Sequence, residues 1–286
     1  MSEPKNNKVH IFEMGPRDGL QNEKKLIATA DKITLVNMLS ECGFEKIEVT
    51  SFVSPKWVPQ MADASEVMAG IFRKPGVSYT VLTPNMRGYA GALAAKADEV
   101  AVFGSASEGF SQNNINCSIE ESIERFKPVI EAALADDIPV RGYISCVTDC
   151  PFDGPTEPTA VARIAEMLFK LGCYEVSLGD TIGHATPETI SAMLDKVLQV
   201  VPAEKLAGHY HDTLGNALAN ISASLEKGLR SYDAAIGGLG GCPYAPGAKG
   251  NVDTALVVSM LENQGFETGI DSNKLKEVAE FAVSLR

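Results

Sequence analysis

Short runs of β-branched and other apolar residues alternate with longer segments of helical periodicity along the whole chain. Eight apolar runs of strand length occupy residues 8–13, 46–51, 78–82, 99–104, 139–146, 174–179, 206–211 and 231–236. Segments with apolar residues at helical spacing lie at 31–43, 63–73, 86–96, 118–135, 158–171, 187–200, 215–228 and 251–264, with a last one at 272–285. The pattern predicts eight strand–helix units followed by an extra C-terminal helix.

Eight repeats of this alternation are typical of an α/β fold, the (β/α)8 TIM barrel with eight parallel strands. A doubly wound sheet alternates in the same way. However, no G-x-G-x-x-G motif follows the first run, and no change in composition divides the chain into halves. We therefore expect residues 1–286 to form a single (β/α)8 barrel catalytic domain.

Polar residues cluster where the predicted strands end. They are Arg17, Asp18, Glu48, Thr181, His209 and His211. The carboxyl ends of barrel strands open onto one face, where barrel enzymes hold their active sites. We therefore expect residues from both ends of the sequence to meet at one mouth.

Two of the four histidines, His209 and His211, are spaced so that both imidazoles face one side of a strand. With Asp18 as a third ligand they could bind one divalent metal ion and leave coordination positions open, as a catalytic metal requires. Mg²⁺, Mn²⁺, Co²⁺ or Zn²⁺ could bind to such a mixture of nitrogen and oxygen donors. Oxygen-rich coordination favours Mg²⁺ or Mn²⁺. The alternative requires no metal ion: one imidazole is buried and hydrogen-bonded, a need that Asp212 could satisfy, and the other imidazole is solvated.

Three further side chains are candidates for chemistry. Arg17 could clamp an oxyanion or form an ordinary surface salt bridge. Glu48 has apolar neighbours on both sides, which predicts that it faces the barrel interior and supports a metal ligand. Cys242 lies in a glycine-dense loop, and an unperturbed thiol, with its pKa near 8.5, suits a general acid. It could equally be an incidental cysteine in a flexible loop.

Composition excludes several classes of partner. The net charge of −12 argues against nucleic acid and anionic membranes as partners. No apolar stretch reaches the roughly 20 residues that span a bilayer. The polar opening at 1–7 has no hydrophobic signal region, which predicts a cytoplasmic protein. The six cysteines form no C-x-x-C pair and indicate reduced thiols.

Six motifs spread over the chain form a highly specific set. They are GPRDGLQNE at 15–23, SFVSPKWVPQM at 51–61, NINCS at 114–118, CYEVSLGDTIG at 173–183, HYHDT at 209–213 and GLGGCPY at 238–244. Together they resemble the 3-hydroxy-3-methylglutaryl-CoA (HMG-CoA) lyase family of the metal-dependent aldolase and synthase barrels. The resemblance implies retro-Claisen cleavage of HMG-CoA, a small-molecule CoA thioester, to acetoacetate and acetyl-CoA.

The resemblance also implies roles for individual residues. A divalent cation, Mg²⁺ or Mn²⁺, would be held by Asp18, His209, His211 and Asn251. The catalytic residues would be Arg17, Asp18, Glu48, His209 and Cys242. The residues that contact the substrate would be Arg17, Gln21 and Thr181. Arg17 would stabilise the enolate and Cys242 would protonate it, with Asp18 or His209 as the base. A homodimer is possible.

The chain departs from the family pattern at two places that we expect to lie beside the pocket. Thr50 stands where the family has Gly, and Ala234-Ala235 where it has Ser-Ser. A lyase for another 3-hydroxy-3-substituted acyl-CoA is therefore an alternative. A catalytically silent, metabolite-binding barrel is another. The superfamily's condensing enzymes fit less well, because the Cys-Pro-Tyr sequence at 242–244 is a lyase feature. Three lysines in the mouth-side loops, Lys24, Lys25 and Lys56, could meet CoA phosphates or be solvated.

Overall fold

The computed structural model describes residues 7–240 and 250–286. Eight parallel strands form a closed barrel: β1 (His10–Glu13), β2 (Lys46–Ser51), β3 (Ser78–Leu82), β4 (Glu99–Ser105), β5 (Val140–Ser145), β8 (Glu175–Asp180), β9 (Leu206–Tyr210) and β10 (Ser231–Ala234). Two short strands, β6 (Asp149–Cys150) and β7 (Gly154–Pro155), form an antiparallel hairpin outside it. The barrel closes where β1 pairs with both β10 and β2. The predicted (β/α)8 barrel is confirmed.

Helices surround the strands. They are α1 (Thr29–Ser40), α2 (Ala64–Gly70), α3 (Met86–Ala94), α4 (Glu108–Ile115), α5 (Ile119–Ala135), α6 (Pro158–Leu171), α7 (Pro187–Val197), α8 (Ala217–Glu226), α9 (Thr254–Asn263) and α10 (Ser272–Ser284). The last of these is the predicted extra helix, and it packs against α1 and α9.

Side chains alternate along each strand between two apolar layers. Ile11, Ile47 and Val81 face outwards and join the large cluster that the helices cover. Phe12 and Tyr143 belong to a smaller cluster inside the barrel. The interior is therefore packed, as in other barrels of this class, and only its carboxyl-end mouth is free for chemistry.

The structure contains elements that the apolar pattern did not predict. Helix α4 has a polar sequence, EGFSQNNI, and is set by its ends: Ser107 caps its first turn, and Asn116 ends it in the left-handed conformation with φ of 52°. The hairpin of β6 and β7 lies in the connection after β5. Both depend on local capping and turn chemistry rather than on hydrophobic periodicity.

Within the described ranges, no helix combines the length and apolarity needed to cross a membrane. The expected homodimer and the assignment of the whole chain to one domain stay predictions.

Candidate metal centre and active site

The chain turns sharply after β1 through a π-helical segment, Gly15–Gly19. Such segments are rare and frequently lie at functional sites. A Cβ atom on Gly19 would lie 2.7 Å from the Cβ atom of Leu239, so only glycine fits this close approach. The turn projects Arg17 and Asp18 from the carboxyl end of β1, as predicted.

Glu13, the last residue of β1, anchors this turn through hydrogen bonds. The sequence analysis did not identify this residue as a candidate. Its Oε1 accepts the backbone N–H groups of Gly15 and Ile236, each at 2.8 Å, and its Oε2 accepts the hydroxyl of Thr254 at 2.7 Å. The carboxyl is fully buried, and burial raises its pKa to about 7 against the lowering effect of these hydrogen bonds. One side chain thus joins β1, the end of β10 and the start of α9.

Arg17 is a buried cation held by two carboxylates. Its Nε donates to Oε2 of Glu48, and one Nη donates to Oδ1 of Asp18 at 2.5 Å. Glu48 faces the interior, as predicted, and its other oxygen accepts the hydroxyl of Tyr143 at 3.2 Å. Burial lowers the pKa of Arg17, but the charges of Glu48 and Asp18 outweigh it and raise that pKa above its ordinary value. The alternative of an ordinary surface salt bridge is wrong.

His209 and His211 face the same side, as their spacing predicted. Their Nε2 atoms lie 3.3 Å apart, and Oδ2 of Asp18 lies 3.9 Å from Nε2 of His209. One ligand atom from each of these three residues falls within a 4.8 Å cluster. Neither imidazole is solvated, since the side chain of His209 is 13% exposed and His211 is 7% exposed.

The electrostatics of this cluster suit a divalent cation. Burial, and then the charge of His209, lowers the pKa of His211 to about 4, so its imidazole is neutral at pH 7. Burial raises the pKa of Asp18, but the charge of Arg17 lowers it well below its usual range, so the carboxylate is ionised. One carboxylate and two imidazoles facing a common point match the ligands of a catalytic metal. The donor set therefore fits the expected ion.

A buried ion pair behind His209 was missed by the sequence analysis. Nδ1 of His209 lies 3.0 Å from Oδ2 of Asp233, and both oxygens of Asp233 accept N–H groups of Arg141, at 2.8 and 3.1 Å. Burial raises the pKa of Asp233, but Arg141 and His209 lower it to about 2. An ionised carboxylate only accepts, so Nδ1 carries the proton and Nε2 faces the cluster. The sequence signal for this pair is one charged residue in each of two largely apolar strands, Arg141 in β5 and Asp233 in β10.

Asn251 lies at the same cluster. Its Nδ2 donates to Oδ2 of Asp18 at 2.7 Å, and its backbone forms an antiparallel bridge with His211. A metal would take the amide oxygen instead, so its role as a fourth ligand stays a prediction.

The expected substrate contacts are less directly placed. The hydroxyl of Thr181 accepts the backbone N–H of Cys146 at 2.8 Å, and Gln21 is half-buried after the Gly15–Gly19 turn. Asp180, the last residue of β8, accepts the backbone N–H groups of His184 and Ala185 in the loop that follows. The substrate roles of Thr181 and Gln21 stay predictions. Cys242 lies outside the described residues.

The expectation that Thr50 and Ala234-Ala235 adjoin the pocket stays a prediction, and the described contacts of Thr50 and Ala234 lie with the outer apolar cluster. A β-bulge between Glu48 and Thr50 reverses the alternation of side chains. The hydroxyl of Thr50 therefore contacts the sulfur of Met61, which belongs to the outer apolar cluster. Ala234 is buried in the same cluster.

Comparisons with known proteins agree with this geometry. The model of the HMGL-like family matches residues 8–282. A Pseudomonas aeruginosa protein named 3-hydroxy-3-isohexenylglutaryl-CoA/hydroxy-methylglutaryl-CoA lyase is 55% identical over 273 residues, covering 96% of this chain and 91% of the relative. Relatives from animals are named as mitochondrial or as cytoplasmic HMG-CoA lyases, so the predicted cytoplasmic location stays a prediction.

Two solved structures are close neighbours. The HMG-CoA lyase of Brucella melitensis is 65% identical, with a TM-score of 0.97 and coverage of 98% of this chain and 99% of that one. An HMG-CoA lyase of Acinetobacter baumannii, solved with coenzyme A and 3-methylmalate, is 37% identical, with a TM-score of 0.94 and coverage of 99% and 92%. The chain therefore belongs to the HMGL-like family, among the carbon–carbon lyases that are named HMG-CoA lyase.

Proposed function

We propose that this protein cleaves HMG-CoA to acetoacetate and acetyl-CoA with the help of a divalent cation. The observation that carries the proposal is the convergence of Asp18, His209 and His211 beside the buried guanidinium of Arg17. The names of relatives that share more than half of its residues support the substrate. The neighbour solved with coenzyme A supports a thioester ligand.

A divalent cation held by Asp18, His209 and His211, with Asn251 as the fourth ligand, would acidify the tertiary hydroxyl of the substrate. Loss of that proton lets the hydroxyl oxygen form the ketone of acetoacetate while the C–C bond breaks. The bonding electrons pass to the thioester, which leaves as an enolate. Arg17 would stabilise this negative charge, because Glu48 and Asp18 fix its buried guanidinium.

The base that removes the hydroxyl proton is Asp18 or His209. The contacts do not choose between them: an Nδ1–H that donates to Asp233 and a metal-bound Nε2 leave His209 no free lone pair, and the ion pair with Arg17 makes Asp18 a weak base. Cys242 would protonate the enolate and release acetyl-CoA, as the family resemblance implies.

The test is incubation of purified, Mg²⁺-loaded protein with HMG-CoA while acetoacetate and acetyl-CoA are measured together. We expect equal amounts of both, and none after chelation of the metal. A Cys242→Ala variant is expected to lose most of its kcat and to keep its metal affinity. Near-normal kcat in that variant would refute the acid role.

A second candidate substrate is another 3-hydroxy-3-substituted acyl-CoA. The name of the Pseudomonas aeruginosa relative, which includes an isohexenyl substrate, supports it. The positions of Thr50 and Ala234 do not, since both face the outer cluster. Values of kcat/KM across a panel of thioesters with different 3-substituents separate the two candidates.

A further inference from the structure

The barrel interior holds two groups of buried, paired charges. The first contains the guanidinium that would stabilise the enolate, and its members are Arg17, Asp18 and Glu48. The second orients a metal-binding imidazole, and its members are Arg141, Asp233 and His209. The proposed reaction needs both groups, so their position relative to each other matters as much as the geometry within each.

The hydroxyl of Tyr143 joins the two groups. Tyr143 lies in β5 and is buried inside the barrel. Its oxygen accepts an Nη–H of Arg141 at 3.0 Å, and its proton is donated to Oε1 of Glu48 at 3.2 Å. A phenol can do both at once, because one oxygen is donor and acceptor. Burial raises the pKa of Tyr143 well above its ordinary value, so the phenol keeps this proton.

The carboxylate of Glu48 is held at both of its oxygens. Oε1 accepts from Tyr143 of β5, and Oε2 accepts from Nε of Arg17, which follows β1. The last torsion of a glutamate side chain has only a broad, shallow preference, so bonds to both oxygens are needed to fix the plane of the carboxylate. The Tyr143 hydroxyl supplies one of these two bonds.

The plane of the Glu48 carboxylate in turn determines where Arg17 points. Nε of Arg17 donates to Glu48, and one Nη donates to Asp18. Within the part of the chain that the structure describes, the other Nη has no hydrogen-bond partner, so it is the group that an oxyanion would meet. Because a guanidinium is planar and rigid, a rotation of Glu48 would displace this free Nη.

The ring of Tyr143 contributes separately from its hydroxyl. Arg141 and Tyr143 are two residues apart on one strand and therefore face the same side. The ring centroid lies 5.0 Å from Cζ of Arg141 and 5.7 Å from Cζ of Arg17, within the range of cation–π contacts. Tyr143→Phe keeps the ring and both contacts, so it isolates the effect of the hydroxyl.

We infer that the hydroxyl of Tyr143 positions Arg17 through Glu48. Arg141 anchors that hydroxyl and also holds Asp233 behind His209. One arginine thus sets the geometry of both the enolate-stabilising cation and the metal-binding imidazole. The inference rests on the proposed function only for its kinetic consequence. Tyr143 is a positioning residue, because it acts through Glu48.

Nuclear magnetic resonance of ¹⁵N-labelled arginine side chains tests the geometry without any substrate. The Nε–H signal of Arg17 in the Mg²⁺-loaded protein reports its bond to Glu48, and the signal is assigned by its loss in Arg17→Lys. We expect this signal to shift or broaden in Tyr143→Phe, because the Glu48 carboxylate gains freedom to rotate. An unchanged signal would overturn the inference.

Tyr79→Phe is the matched control. Tyr79 is a buried tyrosine of β3 whose ring belongs to the outer apolar cluster. Its hydroxyl bonds to the hydroxyl of Ser40 and to the backbone N–H of Lys74, each at 2.9 Å. The variant therefore loses an equally buried, hydrogen-bonded oxygen on the other side of the barrel wall. We expect it to leave both the Arg17 signal and kcat unchanged.

Kinetics with HMG-CoA test the consequence. Tyr143→Phe is expected to lower kcat by about 10- to 100-fold, the range that loss of one hydrogen bond to a charged group corresponds to. KM and the Kd for Mn²⁺ stay close to their wild-type values, because His209 keeps its contact with Asp233.

A double variant tests whether Tyr143 acts through Glu48. Tyr143→Phe combined with Glu48→Gln should lose no more kcat than Glu48→Gln alone, as expected of two residues that act in series. Losses that multiply would overturn the inference, because Tyr143 would then act independently of Glu48.

The two readouts separate this inference from the proposed function. If the wild-type protein does not cleave HMG-CoA but the Arg17 signal responds to Tyr143→Phe and not to Tyr79→Phe, the inference stands and the proposed substrate is wrong. If HMG-CoA is cleaved and Tyr143→Phe changes neither the signal nor kcat, the proposed function stands and the positioning role is wrong.

Discussion

Asp233 determines which nitrogen of His209 is available to a metal ion. It is ionised and fully buried, it accepts the Nδ1 proton of His209, and it is itself held by Arg141 and by the hydroxyl of Ser177 at 2.7 Å. Carboxylates in this position orient metal-binding imidazoles and keep the metal-facing nitrogen unprotonated. Asp233 is therefore a positioning residue rather than a catalytic one.

Asp233→Asn is expected to weaken metal binding by about 10- to 100-fold, because the amide no longer enforces the Nδ1–H tautomer. The affinity for Mn²⁺, measured by titration with electron paramagnetic resonance, checks this. Ser177→Ala removes only one hydrogen bond to Asp233 and gives a smaller effect in the same direction. Glu99→Gln alters another buried, paired carboxylate, one that contacts Lys46 instead of the site. Equal losses in Glu99→Gln and Asp233→Asn would show a general effect of lost buried charge.

The residues of the centre differ in how far the sequence could predict them. Asp18, His209 and His211 carry metal-binding groups at the ends of predicted strands, so their convergence follows from barrel closure alone. Asp233 and Arg141 could not be paired in advance. They lie 92 residues apart on strands that do not adjoin, and only the packed interior brings them together.

The elements show the same division. The barrel strands are apolar runs and could be predicted to within about two residues at most ends. The Gly15–Gly19 turn could not, because its shape depends on contacts with residues more than two hundred positions away. Hydrophobic periodicity predicts which segments are strands and helices, but it carries no information on how a connection is braced.

The Gly15–Gly19 turn tolerates no side chain at its end. Gly19→Ala would place a Cβ atom 2.7 Å from that of Leu239 and displace the turn that carries Arg17 and Asp18. We expect a loss of about 1–3 kcal/mol in the free energy of unfolding and a larger relative loss of kcat/KM. Gly104→Ala is the matched control, since a Cβ atom on this buried β4 residue meets nothing closer than 3.9 Å. Urea denaturation and steady-state kinetics of both variants test this, and normal kcat/KM in Gly19→Ala would contradict it.

Glu13 makes the junction of β1, β10 and α9 sensitive to pH. Its pKa is about 7 in the folded protein against an ordinary value of 4.5, so between these values the folded state holds a proton that the unfolded chain has lost. The stability that it contributes is fully present below about pH 4.5 and is lost as the pH rises through about 7. At 1.36 kcal/mol per pKa unit the loss is roughly 3 kcal/mol.

Glu13→Gln is expected to remove this part of the pH dependence. The neutral amide can still accept from Gly15 and Ile236 and can donate to Thr254. Urea denaturation from pH 5 to 8 compares the two proteins. The difference in stability should move in favour of the variant as the pH rises, and a constant difference would show that Glu13 is ionised throughout.

At the scale of the whole molecule, the three proposed metal ligands lie far apart in the sequence. Asp18 follows the first barrel strand, and His209 and His211 come about 190 residues later, near the strands that close the barrel on β1. The unfolded chain cannot bring these groups together, so a divalent cation held by them would bind the folded barrel selectively and stabilise all of it.

At a free Mn²⁺ concentration of 100 times its Kd, the stabilisation is about 2.7 kcal/mol, which corresponds to a rise in Tm of roughly 5 °C or more for a domain of this size. Differential scanning calorimetry across a Mn²⁺ series should show Tm rising with the logarithm of the ion concentration once the site is saturated. Asp18→Asn removes one ligand charge and is expected to abolish most of the shift. Within the described ranges no other group of three such ligands lies together, so we assign the expected shift to this centre. A shift of the same size in Asp18→Asn would instead place the stabilising ion elsewhere on the protein.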